Sequence, residues 1–169
     1  AIKQRAAIDG RTVRVIGVQA ANASPYPVSL EKGAPTQITI LPTIADGIAV
    51  SKPGELNFEI VRRVVDEVVT VSEDDMAQAL LVLLERAKLV VEPAGAVGVA
   101  AILAGQVSAS GTTVVILSGG NIDPMIMERV ISHGLAASER YLKLRIPLPD
   151  RPGQLARVSA LVAECSANV

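Results

Sequence analysis

The sequence predicts an α/β fold built on an open, mainly parallel sheet flanked by helices. Three observations carry this. Short apolar runs rich in Val and Ile alternate with longer stretches whose apolar residues recur at helical spacing, the order that builds βαβ units. Thr112 to Asn121 (Thr-Thr-Val-Val-Ile-Leu-Ser-Gly-Gly-Asn) reads as a buried apolar strand that breaks onto a serine and two glycines and leads into a helix. Of the 169 residues, 50% are hydrophobic but only Tyr26, Phe58 and Tyr141 are aromatic, so the core must be aliphatic.

Taken in order, Ile2 to Ala7 reads as the tail of a helix and Thr12 to Val18 as a buried strand. Asn22 to Pro42 is rich in Pro, Ser, Gly and Thr, with a short helical piece around Val28 to Lys32. Leu56 to Val65 is helical and Glu67 to Val71 is a strand. Ser72 then opens a long helix to Ala87. Ser72 and Asp75 have capping-box spacing, and Met76, Leu80, Leu83, Leu84 and Ala87 form the inner stripe. Leu89 to Val91 is extended, Pro93 to Leu103 is a helix of small residues, and Val114 to Leu117 is the strand named above. The next helix spans Ile122 to Gly134, with Asn121 as its cap, Pro124 in its first turn, and Ile126, Val130 and Leu135 at helical spacing. The character changes near Ser138. Tyr141 to Leu148 alternates as an edge-type strand, and a final helix carries Leu155, Val158, Leu161, Val162 and Cys165 on one face.

Charge narrows the function classes. Lys plus Arg (16) nearly balance Asp plus Glu (17), with no basic run, so neither nucleic acid nor an anionic membrane is an expected partner. No apolar run has the length of a membrane-spanning helix, and no charged-then-apolar leader is present. Cys165 is the single cysteine and cannot form an internal disulfide, which fits a reducing, cytoplasmic setting; its place on an apolar face predicts a buried thiol. His133, the one histidine, is expected to interact with the end of its own helix. Glu73, Asp74 and Asp75 read as first-turn charges favoured by the helix dipole.

The chemistry concentrates at the glycine turn. A strand, a glycine turn and a helix N-terminus leave free backbone N–H groups at the carboxyl end of a sheet, which suits an anionic or heteroaromatic ligand, and Ser118 adds a neutral hydroxyl. Two upstream stretches keep it company: Thr43-Ile44-Ala45-Asp46-Gly47-Ile48-Ala49-Val50 and Val91-Glu92-Pro93-Ala94-Gly95-Ala96. In this order and spacing the three closely resemble the pyridoxal-phosphate enzymes of the tryptophan synthase β-like class. Within that class the sequence looks like the threonine dehydratases (threonine ammonia-lyases), with serine racemases the nearest relatives. The resemblance runs from about Ile2 to Arg140.

It implies pyridoxal 5'-phosphate as cofactor, bound by Ser118, Gly119, Gly47, Glu92 and Asp46, and α,β-elimination of L-threonine or L-serine to a 2-oxo acid and ammonia in a homo-oligomer. Ser118 matches the family's partner of the pyridine nitrogen. The Schiff-base lysine of this class, in a Ser-Phe-Lys-type motif, is expected upstream. Lys3 lacks the preceding serine and aromatic and is rejected for that role, so no catalytic residue is assigned and the chain is expected to be an interior piece, inactive alone. Serine racemases place a glutamate and an aspartate, ligands of a divalent metal, where this chain has Gln19 and Pro25; no metal is expected, and the dehydratase reading gains over the racemase. Leu148-Pro149-Asp150-Arg151-Pro152-Gly153-Gln154-Leu155 resembles the first turn of an ACT domain, a ferredoxin-like module for amino-acid effectors such as isoleucine. The implied division is residues 1–138 for the C-terminal part of the catalytic domain and 139–169 for a linker and the first β-α of a truncated ACT-like domain. A non-catalytic, amino-acid-binding regulatory fragment is the alternative of a different class.

Overall fold

In the computed structural model, which describes residues 1–167, the sheet is two-stranded and parallel. β1 (Ile16–Ala20) lies beside β2 (Glu67–Val71), with Ile16 opposite Glu67 and Ala20 opposite Val71. β2 has the expected bounds, whereas β1 starts later than Thr12. The Asp66 carboxylate accepts the Val15 N–H (2.7 Å), and the Asp66 N–H donates to the Val15 carbonyl (2.9 Å), which closes the ladder at that end. Lys3 Nζ meets the same carboxylate at 2.5 Å. Lys3 first, then the Val15 N–H, holds the Asp66 carboxyl below its ordinary range. Lys3 is thus an ion-pair residue that ties α1 (Ile2–Ile8) to the sheet.

Six more helices were expected, and all form: α2 (Pro25–Lys32), α3 (Glu55–Val64), α4 (Glu73–Val82), α5 (Pro93–Leu103), α6 (Pro124–Ala137) and α7 (Gln154–Glu164). α4 runs on through one π turn, Leu83–Ala87, and stops at Lys88 in the left-handed region (φ 57°). α4 packs on α5 and α6 at once, and α5 lies against both strands. Contact on two sides explains why Ala77, Ala79 and Leu81 are buried beside the expected Met76, Leu80 and Leu83, while Ala87 at the frayed end is exposed. Ala20, Val71, Val91, Ala96, Ala100, Ala101 and Val130 complete an aliphatic core. Its many alanines let the helix backbones approach closely.

The capping box is present. Ser72 Oγ accepts from the Asp75 N–H (3.1 Å) and the Asp75 carboxylate accepts from the Ser72 N–H (2.9 Å). Two otherwise orphaned donors are satisfied, so Ser72→Ala should lower stability by about 1 kcal/mol. Urea unfolding reads this as a lower midpoint at unchanged slope; an unmoved midpoint would mean that the box is idle.

Several local expectations are corrected. Val114 to Leu117 pairs with no strand among the described residues, and Val114 (83%) and Ile116 (73%) are exposed. An apolar run reports that a segment suits a ladder, not that a partner lies beside it. Tyr141 to Leu148 is likewise unpaired. Asp123, not Asn121, caps α6: its Oδ1 accepts from the Met125 N–H at 2.7 Å, and Pro124 occupies the first helical position. Because α6 continues to Ala137, His133 is inside the helix, and its Nε2 meets Asp74 on α4 at 2.5 Å rather than the end of its own helix. Cys165 is exposed, as it follows α7 (Gln154–Glu164), no residue of which is buried. On the apolar face of α7, Val158 and Val162 are half-buried and Leu155 and Leu161 are exposed.

Candidate functional site

The first turn of α5 organises the site. Leu89 to Glu92 runs extended into it, and the Glu92 N–H donates to the Gly119 carbonyl at 3.0 Å. Gly119 is left-handed (φ 76°), so the chain can turn there without a Cβ penalty. The Ser118 carbonyl presses on Gly95 so closely that no β-carbon fits between them. Small residues in Pro93-Ala94-Gly95-Ala96 therefore bring the serine-glycine turn down onto the helix.

Gly47 reaches the same point from a third segment. It sits in the helical turn Asp46–Ile48, and a Cβ built on it lies 3.2 Å from the Ala94 Cβ and 3.7 Å from Glu92 Oε1. A Cβ on Gly119 would overlap that same Glu92 carboxylate. Gly47, Glu92 and Gly119 thus converge, with the carboxylate between the two glycines. Gly120 stands close by, its built Cβ 3.4 Å from the Val90 carbonyl.

The remaining predicted residues are placed differently. The Ser118 side chain is exposed, and no hydrogen bond engages its hydroxyl among the described residues. Asp46 is exposed and its carboxylate accepts the N–H of Gly47 at 2.8 Å, the local bond of a turn former. Glu92 shows the opposite behaviour. It precedes Pro93 at the α5 N-terminus, yet its side chain caps nothing, and Lys88 donates to the Glu85 carbonyl (2.8 Å) instead of pairing with it. A half-buried carboxylate with no donor among the described residues is available to a ligand. Gln19 is committed elsewhere, its Oε1 accepting the Tyr26 N–H (3.0 Å) at the start of α2.

Backbone bare of β-carbons, one hydroxyl and one free carboxylate suit a flat heteroaromatic ring with a single polar partner. Two acidic side chains make the same surface a poor seat for a phosphate. Sequence reasoning missed the groups that hold the Gly47 loop. Asn22 donates from Nδ2 to the Pro42 carbonyl (2.6 Å), Glu73 accepts the Ile44 N–H (2.8 Å), and Thr43 Oγ1 accepts the Ala45 N–H (3.1 Å). Only the last is local enough to be read from spacing.

Comparison with known proteins agrees with this geometry. The family described as "Pyridoxal-phosphate dependent enzyme" matches residues 1–119. The L-threonine ammonia-lyase of Geobacter sulfurreducens is 51% identical over 158 residues, which are 93% of this chain and 39% of that protein. The solved threonine deaminase of T.th. superposes with a TM-score of 0.64 at 39% identity, over 70% of this chain and 43% of that one. Maize serine racemase superposes with a TM-score of 0.65 at 30% identity, over 74% of this chain and 41% of that one. The chain therefore spans less than half the length of each. Since the match takes in both strands and all three segments that meet at Glu92, the chain belongs to the pyridoxal-phosphate-dependent enzymes.

Proposed function

We propose that this chain forms part of the cofactor site of a threonine ammonia-lyase, with Ser118, Gly119, Gly47, Glu92 and Asp46 lining the ring end of pyridoxal 5'-phosphate. The observation that carries the reading is the convergence of Gly47, Glu92 and Gly119 from three separate segments. The name of the Geobacter relative supports the reaction: L-threonine, or L-serine, to a 2-oxo acid and ammonia. The residues fit the ring but not the phosphate, which is held by other groups.

When bound, pyridoxal phosphate withdraws electrons from the α-carbon of an amino acid and so loosens its proton. The chain's residues set how strongly. The Ser118 hydroxyl would donate a hydrogen bond to an unprotonated ring nitrogen, whereas a carboxylate there would keep that nitrogen protonated. The milder withdrawal favours departure of the β-hydroxyl over transamination. Gly119 and Gly120 would admit the ring to the backbone, and the Glu92 carboxylate would stand beside it, between Gly47 and Gly119. Asp46 fixes the turn that presents Gly47.

Residues 1–138 belong to the catalytic domain in this reading, and 139–169 to a linker and the opening of an ACT-like module. Support for the division comes from α7, none of whose residues is buried against the rest. The same reading gives the complete protein a homo-oligomeric state, a cytoplasmic setting, an amino-acid effector such as isoleucine, and a place in isoleucine formation or threonine breakdown.

Ser118→Asp in the full-length enzyme tests the assignment. Elimination should fall and transamination products rise, each severalfold, with the fold intact by circular dichroism. Unchanged partitioning between the two products removes Ser118 from the ring nitrogen.

A further inference from the structure

The Gly47 loop has no ladder and no long helix to fix it, yet it must deliver Gly47 to within contact of Glu92 and Ala94. Every backbone N–H that is taken out of water needs an acceptor. For Ile44 that acceptor is the Glu73 carboxylate, at 2.8 Å from Oε2. The other oxygen, Oε1, lies 3.4 Å from Asn22 Nδ2, which also donates to the Pro42 carbonyl at 2.6 Å. The Asn22 carbonyl in turn accepts the Leu41 N–H (2.9 Å). Asn22 stands two positions beyond β1, and Glu73, the first residue of α4, two positions beyond β2. The ends of both strands therefore grip one loop between Leu41 and Ile44. Ala45 follows, fully buried, and the helical turn Asp46–Ile48 begins at the next residue.

We infer that Glu73 is a positioning residue: its carboxylate latches the backbone at Ile44 and so sets where Gly47 stands against Glu92. The acidic first turn of α4 divides its labour accordingly. Asp75 serves the capping box, Asp74 meets His133, and Glu73 reaches out of its own helix to the loop. The consequence for cofactor binding rests on the reading of Gly47 as a site residue; the latch itself does not.

Two conservative variants of the full-length protein separate a latch from a helix-dipole charge. Glu73→Gln keeps an acceptor oxygen at the same reach but loses the charge. Glu73→Asp keeps the charge in the first turn but withdraws the acceptor by one methylene. The readout is amide hydrogen exchange at Ile44, compared with the body of α4. A latch predicts that E73D speeds exchange at Ile44 about tenfold, as expected for loss of a bond to a charged acceptor, while E73Q, whose neutral oxygen still accepts, speeds it by less, about two- to threefold. A dipole charge predicts the reverse order, with the change spread along α4, and that pattern overturns the inference, as does an unmoved Ile44 in E73D. Pyridoxal-phosphate affinity is measured in parallel. If E73D frees Ile44 and weakens binding, latch and site reading both stand. If it frees Ile44 and leaves binding unchanged, the latch stands and Gly47 loses its place in the cofactor site.

Discussion

Gly95→Ala is expected to destabilise the protein by about 2 kcal/mol net and to dislodge the Ser118 turn. The added Cβ would overlap the Ser118 carbonyl oxygen and stand 2.7 Å from its carbon and 3.0 Å from Val91 Cγ1. The first two are backbone atoms of a segment bonded to the helix through Glu92 and Gly119, so no rotamer change relieves the collision. Against it stands the gain of replacing a helical glycine in the first turn by the best helix former, at most about 1 kcal/mol. Overpacking in well-packed sites costs about 1–3 kcal/mol, and a backbone collision belongs at the upper end, so the clash wins. Gly98→Ala, on the same helix, is the control. Its Cβ meets only the Val115 side chain, at 2.7 Å, and Val115 lies in an unpaired segment that can shift. The propensity gain there offsets most of the cost. Equal urea midpoints for the two variants would show that the Ser118 turn does not press on α5.

The contrast between these glycines marks how far the sequence could be read. Helices were legible because their signals are local. Ser72 and Asp75 are three residues apart, Pro93 opens α5, and the apolar spacing of α4 needs no knowledge of its neighbours. Even the misplaced cap of α6 erred by only two residues, because Asn121 and Asp123 offer the same kind of oxygen before Pro124. Strands were legible only where a partner exists. β2 was placed correctly, but Val114 to Leu117, at least as apolar, is unpaired among the described residues, since a ladder is a property of two segments. His133 shows the same limit, as its partner Asp74 is remote in sequence. The glycines and Glu92 were singled out through their ordered motifs, and the structure brings Gly47, Glu92 and Gly119 together. The reach of Glu73 to Ile44 left no mark, because a side chain bonded to a distant amide imposes no periodicity.

Gly119→Ala is expected to cost more in function than in stability, and the reason is the character of what it meets. Alanine at φ 76° carries the left-handed penalty of about 1–2 kcal/mol. The new Cβ also overlaps the Glu92 carboxylate, but this is the end of a flexible side chain with no donor holding it among the described residues, so it swings away at little further cost. Stability should therefore fall by about that backbone penalty and no more. Function suffers twice: the carboxylate leaves the point where Gly47 and Gly119 meet, and the methyl takes the space a ring would use. Pyridoxal-phosphate affinity should drop about tenfold or more, equivalent to at least 1.4 kcal/mol of binding. Glu92→Gln divides the two causes, since it keeps the shape of the side chain and removes its charge. If Glu92→Gln binds normally and Gly119→Ala does not, the absence of a β-carbon is what the cofactor needs from this turn. If both bind normally while Gly119→Ala still loses stability, the glycine serves the turn alone, and the convergence around Glu92 is packing rather than a site.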